Sequence, residues 1–258
     1  MEDRNQPGDR DALGDGEIAW GLHLYRSRIQ LQWCLPLLRE SYPTSRVVLI
    51  TDGDDDPYED IAAQYHCDYR AGQHLMKLDT GHLFVRRLLV ELLRGPERYL
   101  FKIDPDTRIW RRFSGLPEAP SLFGTLETVS EGRQAPIAGP PNVQGGCIGM
   151  TRDVAETMLE SRALTADMFH FRALDSWARC DDARRAVACG QFLEDFALSW
   201  FAHHLGFPIV VNPEVQSRWR VPADNPDLRY AVTHPHKVRP TEAQVLEVLR
   251  QARYDKRA

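Results

Sequence analysis

The chain has 258 residues, of which 43% are hydrophobic and 27% charged, with a formal net charge of −5. This length suffices to bury a full core as one large domain or two small ones. The balance is that of an ordinary soluble globular protein and gives no general reason to expect nucleic acid, while no apolar run reaches the roughly 18–20 residues a membrane helix needs. The five cysteines (Cys34, Cys67, Cys147, Cys180, Cys189) are scattered without a Cys-X-X-Cys pair. That pattern argues against a zinc site or disulfide framework and fits a reducing, cytoplasmic setting.

Residues 1–15 lack periodicity and read as a flexible tail. Ile18 to Tyr25 reads as a first buried strand, and Ser27 to Glu40 as a helix interrupted by Pro36. Arg46 to Asp52 is a β-branched run of the kind found in central parallel strands. A helix over 58–65, a short strand over 67–69 and a strongly amphipathic helix over 83–93 follow. The next strand, over 99–110, is the most informative stretch. Beyond it the pattern predicts a strand over 121–128, a loop over 130–142, and the glycine-rich segment Val143 to Met150. Helices are expected over 152–161, 163–188 and 192–205, then a strand over 207–211 and loop over 219–229. A strand over 230–237 and a terminal amphipathic helix over 242–254 close the chain. Alternation of strand and helix indicates a three-layer α/β fold with a mainly parallel sheet, whose ligands bind beyond the carboxyl ends of the strands.

The apolar run Tyr99-Leu-Phe-Lys-Ile103 ends in Asp104-Pro-Asp106. Residues i and i+2 of a strand share a face, so the two carboxylates would repel unless a cation sits between them. Oxygen ligands of this kind suit Mg²⁺ or Mn²⁺. Asp52 also falls at a predicted carboxyl end, as does the turn after it.

An apolar strand running into Asp-X-Asp resembles the metal-binding motif of GT-A glycosyltransferases, which use nucleotide-sugar donors. Three further segments fit that resemblance in order. Gln144-Gly-Gly-Cys-Ile-Gly149 resembles the segment facing donor sugar and acceptor, placing Gly145 and Gly146 against ligand. Glu194-Asp195, opening an apolar helix, resembles the acidic pair of inverting fringe-like β-1,3-glycosyltransferases, where a carboxylate takes the acceptor's proton. An N-terminal cap favoured by the helix dipole is the plain alternative for that pair. Thr233-His-Pro-His-Lys237 offers His234 or His236 to complete a metal shell, and Lys237 as a diphosphate contact.

The resemblance implies a GT-A fold over residues 16–240, followed by a helix over 241–258. It implies transfer from a UDP-sugar to a hydroxyl acceptor, with inversion. Asp195 is the favoured base and Glu194 the second choice. Asp106 would ligate Mn²⁺ or Mg²⁺, and Asp104 would reach the ribose or a metal-bound water. Asp52, with Lys77 and Asp79 as weaker candidates, would hold the nucleoside. Acceptors would be a glycan, a glycolipid precursor or a secondary metabolite of a cytosolic bacterial enzyme. Arg108, Arg111 and Arg112 read either as phosphate contacts or as a solvated basic edge, and His203-His204 as helix surface and partial core. The rival enzyme is a haloacid-dehalogenase-type Mg²⁺ phosphatase, although Thr107 stands one place too early for that motif. The non-enzymatic rival is an inactive GT-A-like carbohydrate- or nucleotide-binding protein. The acidic run from Asp52 fails the calcium-loop pattern, since Pro57 replaces the required glycine.

Overall fold

The computed structural model describes residues 13–53, 57–77, 79–126, 141–161, 164–165, 193–216 and 229–234. The expected segments over 163–188, 219–229 and 242–254 lie wholly or mostly outside these. So do most of the 1–15 tail and of the 130–142 loop, together with His236, Lys237, Cys180 and Cys189. Among the described residues Cys34, Cys67 and Cys147 are free thiols.

The first half follows the predicted alternation: β1 (Ile18–Leu24), α1 (Arg28–Ser41), β2 (Arg46–Thr51), α2 (Glu59–Gln64), β3 (Asp68–Arg70), α3 (Gly81–Leu92) and β4 (Tyr99–Ile103). Pro36 sits inside α1 without ending it. Proline removes one backbone bond there, and burial of Leu31, Cys34, Leu35 and Leu38 offsets the loss. After β4 come β5 (Arg108–Ile109), β6 (Leu122–Leu126), β7 (Val143–Thr151), α4 (Arg152–Glu160), α5 (Glu194–His204), β8 (Ile209–Val211), β9 (Val215–Gln216) and β10 (Val232–Thr233).

Seven strands form the main sheet in the order β3-β2-β1-β4-β7-β6-β8, and β7 alone among them runs opposite to its neighbours. Two apolar layers sandwich it. On one face α3, α4 and α5 pack through Phe84, Leu88, Val154, Met158 and Phe201 against Ala19, Leu100, Ile148 and Met150. On the other, α1 and α2 pack through Leu31, Leu35, Leu38 and Ile61 against Trp20, Leu49, Phe101 and Ile103. The result is a three-layer α/β/α fold around a mainly parallel mixed sheet, as expected. No helix among the described residues is long and apolar enough to cross a membrane.

One local expectation differs. The 99–110 stretch is not one strand. It breaks at Asp104, where Thr107 N–H closes a turn onto the Asp104 carbonyl at 3.0 Å. Proline at the second turn position favours this break. Strand β5 then leaves the main sheet and pairs antiparallel with β10, which pairs parallel with β9. The glycine-rich segment Val143 to Met150, given no element by its pattern, makes up most of β7, with Ile103 opposite Cys147 and Lys102 opposite Ile148. Its opposite direction brings the start of β7 to the carboxyl edge of β4.

Candidate functional site

The turn at 104–107 is held against β7 by one carbonyl. Gly146 O accepts from Asp104 N–H at 3.2 Å and from the Thr107 hydroxyl at 2.6 Å. From the other side, His234 follows β10 and donates its backbone N–H to Gln216 O at 2.8 Å. Trp110 Nε1–H donates to Thr233 Oγ1 at 2.8 Å, fixing β10 beside β5. The small sheet thereby carries the His234 ring over Gly146. A Cβ on Gly146 would stand 2.1 Å from the His234 ring, so only glycine admits it.

His234 Nε2 lies 3.0 Å from Asp106 Oδ1 and 3.5 Å from Asp104 Oδ2. The three residues present ligand atoms all within 4.8 Å of one another. Two carboxylates and an imidazole brought this close form a donor set that fits a divalent cation. The turn, rather than the pleat of a continuous strand, brings the carboxylates together. Burial pulls the His234 pKa down, but the hydrogen bond with Asp106 and the charges of both aspartates raise it above its usual value. Burial by itself would raise both aspartates. Lys102 and His234 hold Asp104 below the usual carboxylate range, and His234 does the same for Asp106.

Lys102 is the residue that sequence reasoning passed over. It points to the α5 face of β4, two residues before Asp104, and is fully buried. Its ammonium donates to Asp104 Oδ1 at 2.7 Å, Glu194 Oε1 at 2.6 Å and Gly145 O at 2.8 Å. These three acceptors match the three donors of an ammonium. Desolvation opposes its charge, but the two carboxylates more than compensate and push its pKa up. The signal was available: a lysine inside an otherwise apolar strand, on the same face as the acidic residue two places on.

Glu194 and Asp195 open α5 in its first turn, and Leu193 at the cap position makes no side-chain capping bond. Glu194 is committed to Lys102. Asp195 lies on the Gly145 side, where a Cβ on that glycine would come 3.3 Å from its Oδ2. Val143 N–H donates to the buried Ser199 hydroxyl at 2.9 Å, tying α5 to the start of β7.

Asp52 ends β2 at the same sheet edge, 1% exposed. Its carboxylate accepts from Leu75 N–H at 2.5 Å and Met76 N–H at 3.2 Å, and lies 2.6 Å from His74 Nδ1. Burial would raise its pKa, but His23, the Leu75 amide and His74 hold it low. Tyr25 stacks on His74 with centroids 5.4 Å apart. His23 and His74 carry no sequence signal, because His23 nears Asp52 only when β1 and β2 pair, and His74 only when the segment after β3 folds back over the end of β2. Lys77 and Asp79 are exposed.

The basic stretch is engaged within the protein. Arg108 is buried, donates to Asp106 O at 2.9 Å and lies over the Trp33 ring. Arg111 pairs with Glu214 at 2.5 Å, and Arg112 pairs with Asp15. His203 and His204 are exposed on α5, the latter stacked on Trp200 at 4.9 Å. The structure therefore brings Asp104, Asp106, His234, Gly145, Gly146, Glu194 and Asp195 to one place. Lys237 and His236 lie outside the described residues.

No family model matches the chain, and no curated protein matches it. Among solved structures, the crystal structure of S. aureus TarS 1-349 matches at 13% identity with a TM-score of 0.37. The match covers 54% of this chain and 48% of that one, so the chain spans about half the length of TarS 1-349. A likeness of that size carries no argument about activity.

Proposed function

We propose that the chain is a metal-dependent glycosyltransferase of the GT-A type. In this reading it moves a sugar, with inversion, from a UDP-sugar to a hydroxyl acceptor. The observation that carries the reading is the convergence of Asp104, Asp106 and His234 beside the side-chain-free backbone of Gly145–Gly146 and the acidic start of α5.

Asp104, Asp106 and His234 would hold Mn²⁺ or Mg²⁺, His234 being chosen over His236 because its ring already meets both aspartates. Bound there, the cation supplies charge neutralisation to a diphosphate and its departing oxygen. Asp195 takes the proton of the acceptor hydroxyl as general base. Glu194 is the second choice, since its Oε1 already accepts from the buried Lys102 ammonium at 2.6 Å. The missing side chain at Gly145 lets the Asp195 carboxylate lie close against the β7 backbone. The nucleoside is assigned to the Asp52 side of the edge. There Asp52 fixes the 74–76 backbone and Lys77 supplies charge to the donor, while Lys237 is assigned by resemblance to the diphosphate.

The test is release of UDP from a panel of UDP-sugars with MnCl₂ and candidate acceptors. Turnover should appear with metal, vanish with EDTA, and fall to the no-enzyme level in Asp106→Ala. Metal-independent turnover, or an Asp106→Ala variant as active as wild type, rules the reading out.

A further inference from the structure

Lys102 poses a physical question that the metal reading leaves open. A fully buried ammonium costs several kcal/mol to desolvate unless its partners are well placed. Here all three of its donors are taken by Asp104 Oδ1, Glu194 Oε1 and Gly145 O, at 2.6–2.8 Å. It therefore has no donor left for a substrate while this arrangement holds. Of its two charged partners, one is a residue of the cation cluster and the other opens α5.

One oxygen of Asp104 is thus already engaged by a protein cation, and only Oδ2 faces His234, at 3.5 Å. An opposite charge in direct contact weakens a carboxylate's hold on any second cation. We propose that Lys102 is a positioning residue that sets the metal affinity of the site. It takes Asp104 Oδ1 out of the ligand set, presents Oδ2 alone, and links that carboxylate to Glu194 at the start of α5. The inference rests on the metal site proposed above.

A purely structural lysine and a competing one predict opposite signs. If Lys102 only props up the site, its removal loosens the ligands and metal binding weakens. If it competes for Asp104, its removal frees an oxygen and binding strengthens. Replacing Lys102 alone leaves Asp104 and Glu194 facing each other without a counter-charge, which invites misfolding. The informative variant is Lys102→Met with Glu194→Gln, which removes one charge of each sign and so keeps the net charge. Glu194→Gln alone is the reference, because it differs from the double variant only at Lys102.

Titration of the full chain with MnCl₂ and no nucleotide, followed by calorimetry, gives the dissociation constants. The double variant should bind Mn²⁺ about tenfold more tightly than Glu194→Gln, the low end of what one adjacent opposite charge does to a carboxylate. Equal or weaker binding overturns the inference while leaving the metal site standing. Wild-type chain that binds no Mn²⁺ overturns both. A parallel double variant, Lys102→Gln with Glu194→Gln, retains a donor without the charge and should give the same gain. Failure of both double variants to fold makes Lys102 a structural requirement and also overturns the inference.

Discussion

Gly146 does two jobs at residue scale: its carbonyl holds the Asp104–Thr107 turn, and its missing side chain makes room for His234. Gly145, one residue earlier, faces a tight but yielding neighbour, since a Cβ there would meet the end of the Asp195 side chain at 3.3 Å. The two glycines should therefore respond differently to the same change. In Gly146→Ala the new methyl would meet the His234 ring at 2.1 Å, forcing that ring away from both aspartates. Overpacking of this kind costs about 1–3 kcal/mol, and Mn²⁺ binding should be lost while far-UV circular dichroism stays native. Gly145→Ala, at 3.3 Å from a side-chain oxygen that can shift, should keep Mn²⁺ binding. Calorimetric titration of the pair reads both outcomes. The run Gln144 to Gly149 signals close approach at sequence level, but what approaches Gly146 is a histidine 88 positions away.

At the scale of elements, α5 decides where the acidic pair sits. Its apolar face reads directly from Phe196, Trp200 and Phe201, and its first turn carries Glu194 and Asp195 as expected. The orientation of that turn comes from two polar ties, the part-buried one from Lys102 to Glu194 and the buried one from Val143 N–H to Ser199 Oγ. The second can be tested without touching charge. Ser199→Ala leaves a buried backbone N–H unpaired, so it should cost about 1–3 kcal/mol in urea unfolding. Turnover should fall with it, because α5 loses its tie to the start of β7. Strand β4 teaches a related lesson. Its apolar half was evident from Tyr99 to Ile103, whereas its end at Asp104 depended on turn chemistry around Pro105. A continuous-strand reading misses this, because Arg108 and Ile109 resume extended backbone in a different sheet.

Stability and chemistry are placed at opposite edges of the molecule. Away from the site, Arg46 at the start of β2 pairs with Glu97 just before β4, at 2.7 Å, and also donates to Glu91 O. Arg152 at the start of α4 donates to Gly95 O and Glu97 O, locking the same corner. Burial would raise the Glu97 pKa, but Arg46 and, more weakly, Arg152 hold it below its usual value. A carboxyl with a depressed folded pKa contributes its stability above the unfolded value, about 4.3. It loses that contribution as the pH falls through the folded value. Glu97→Gln should therefore lower stability by about 1.5–3 kcal/mol at neutral pH, with the gap to wild type closing as the pH drops below about 4. Urea unfolding across pH 3–7 checks this, with turnover at pH 7 unaffected.

The one-dimensional pattern was enough for the layered α/β architecture, because strand and helix periodicities and their alternation are local properties that burial merely enforces. It was also enough to single out Asp104 and Asp106, since acidic residues at the end of an apolar run stand out in a hydrophobic context. A family resemblance, not periodicity, pointed to the Glu194–Asp195 pair and left His234 and His236 both open. Only the folded chain could decide that Lys102 neutralises Asp104, that Gly146 seats His234, and that Glu194 is already occupied. Those facts depend on β7 running opposite to β4 and on a second small sheet returning the chain from residue 232. Contacts between residues dozens of positions apart leave no periodic trace, so they exist only once the backbone has closed.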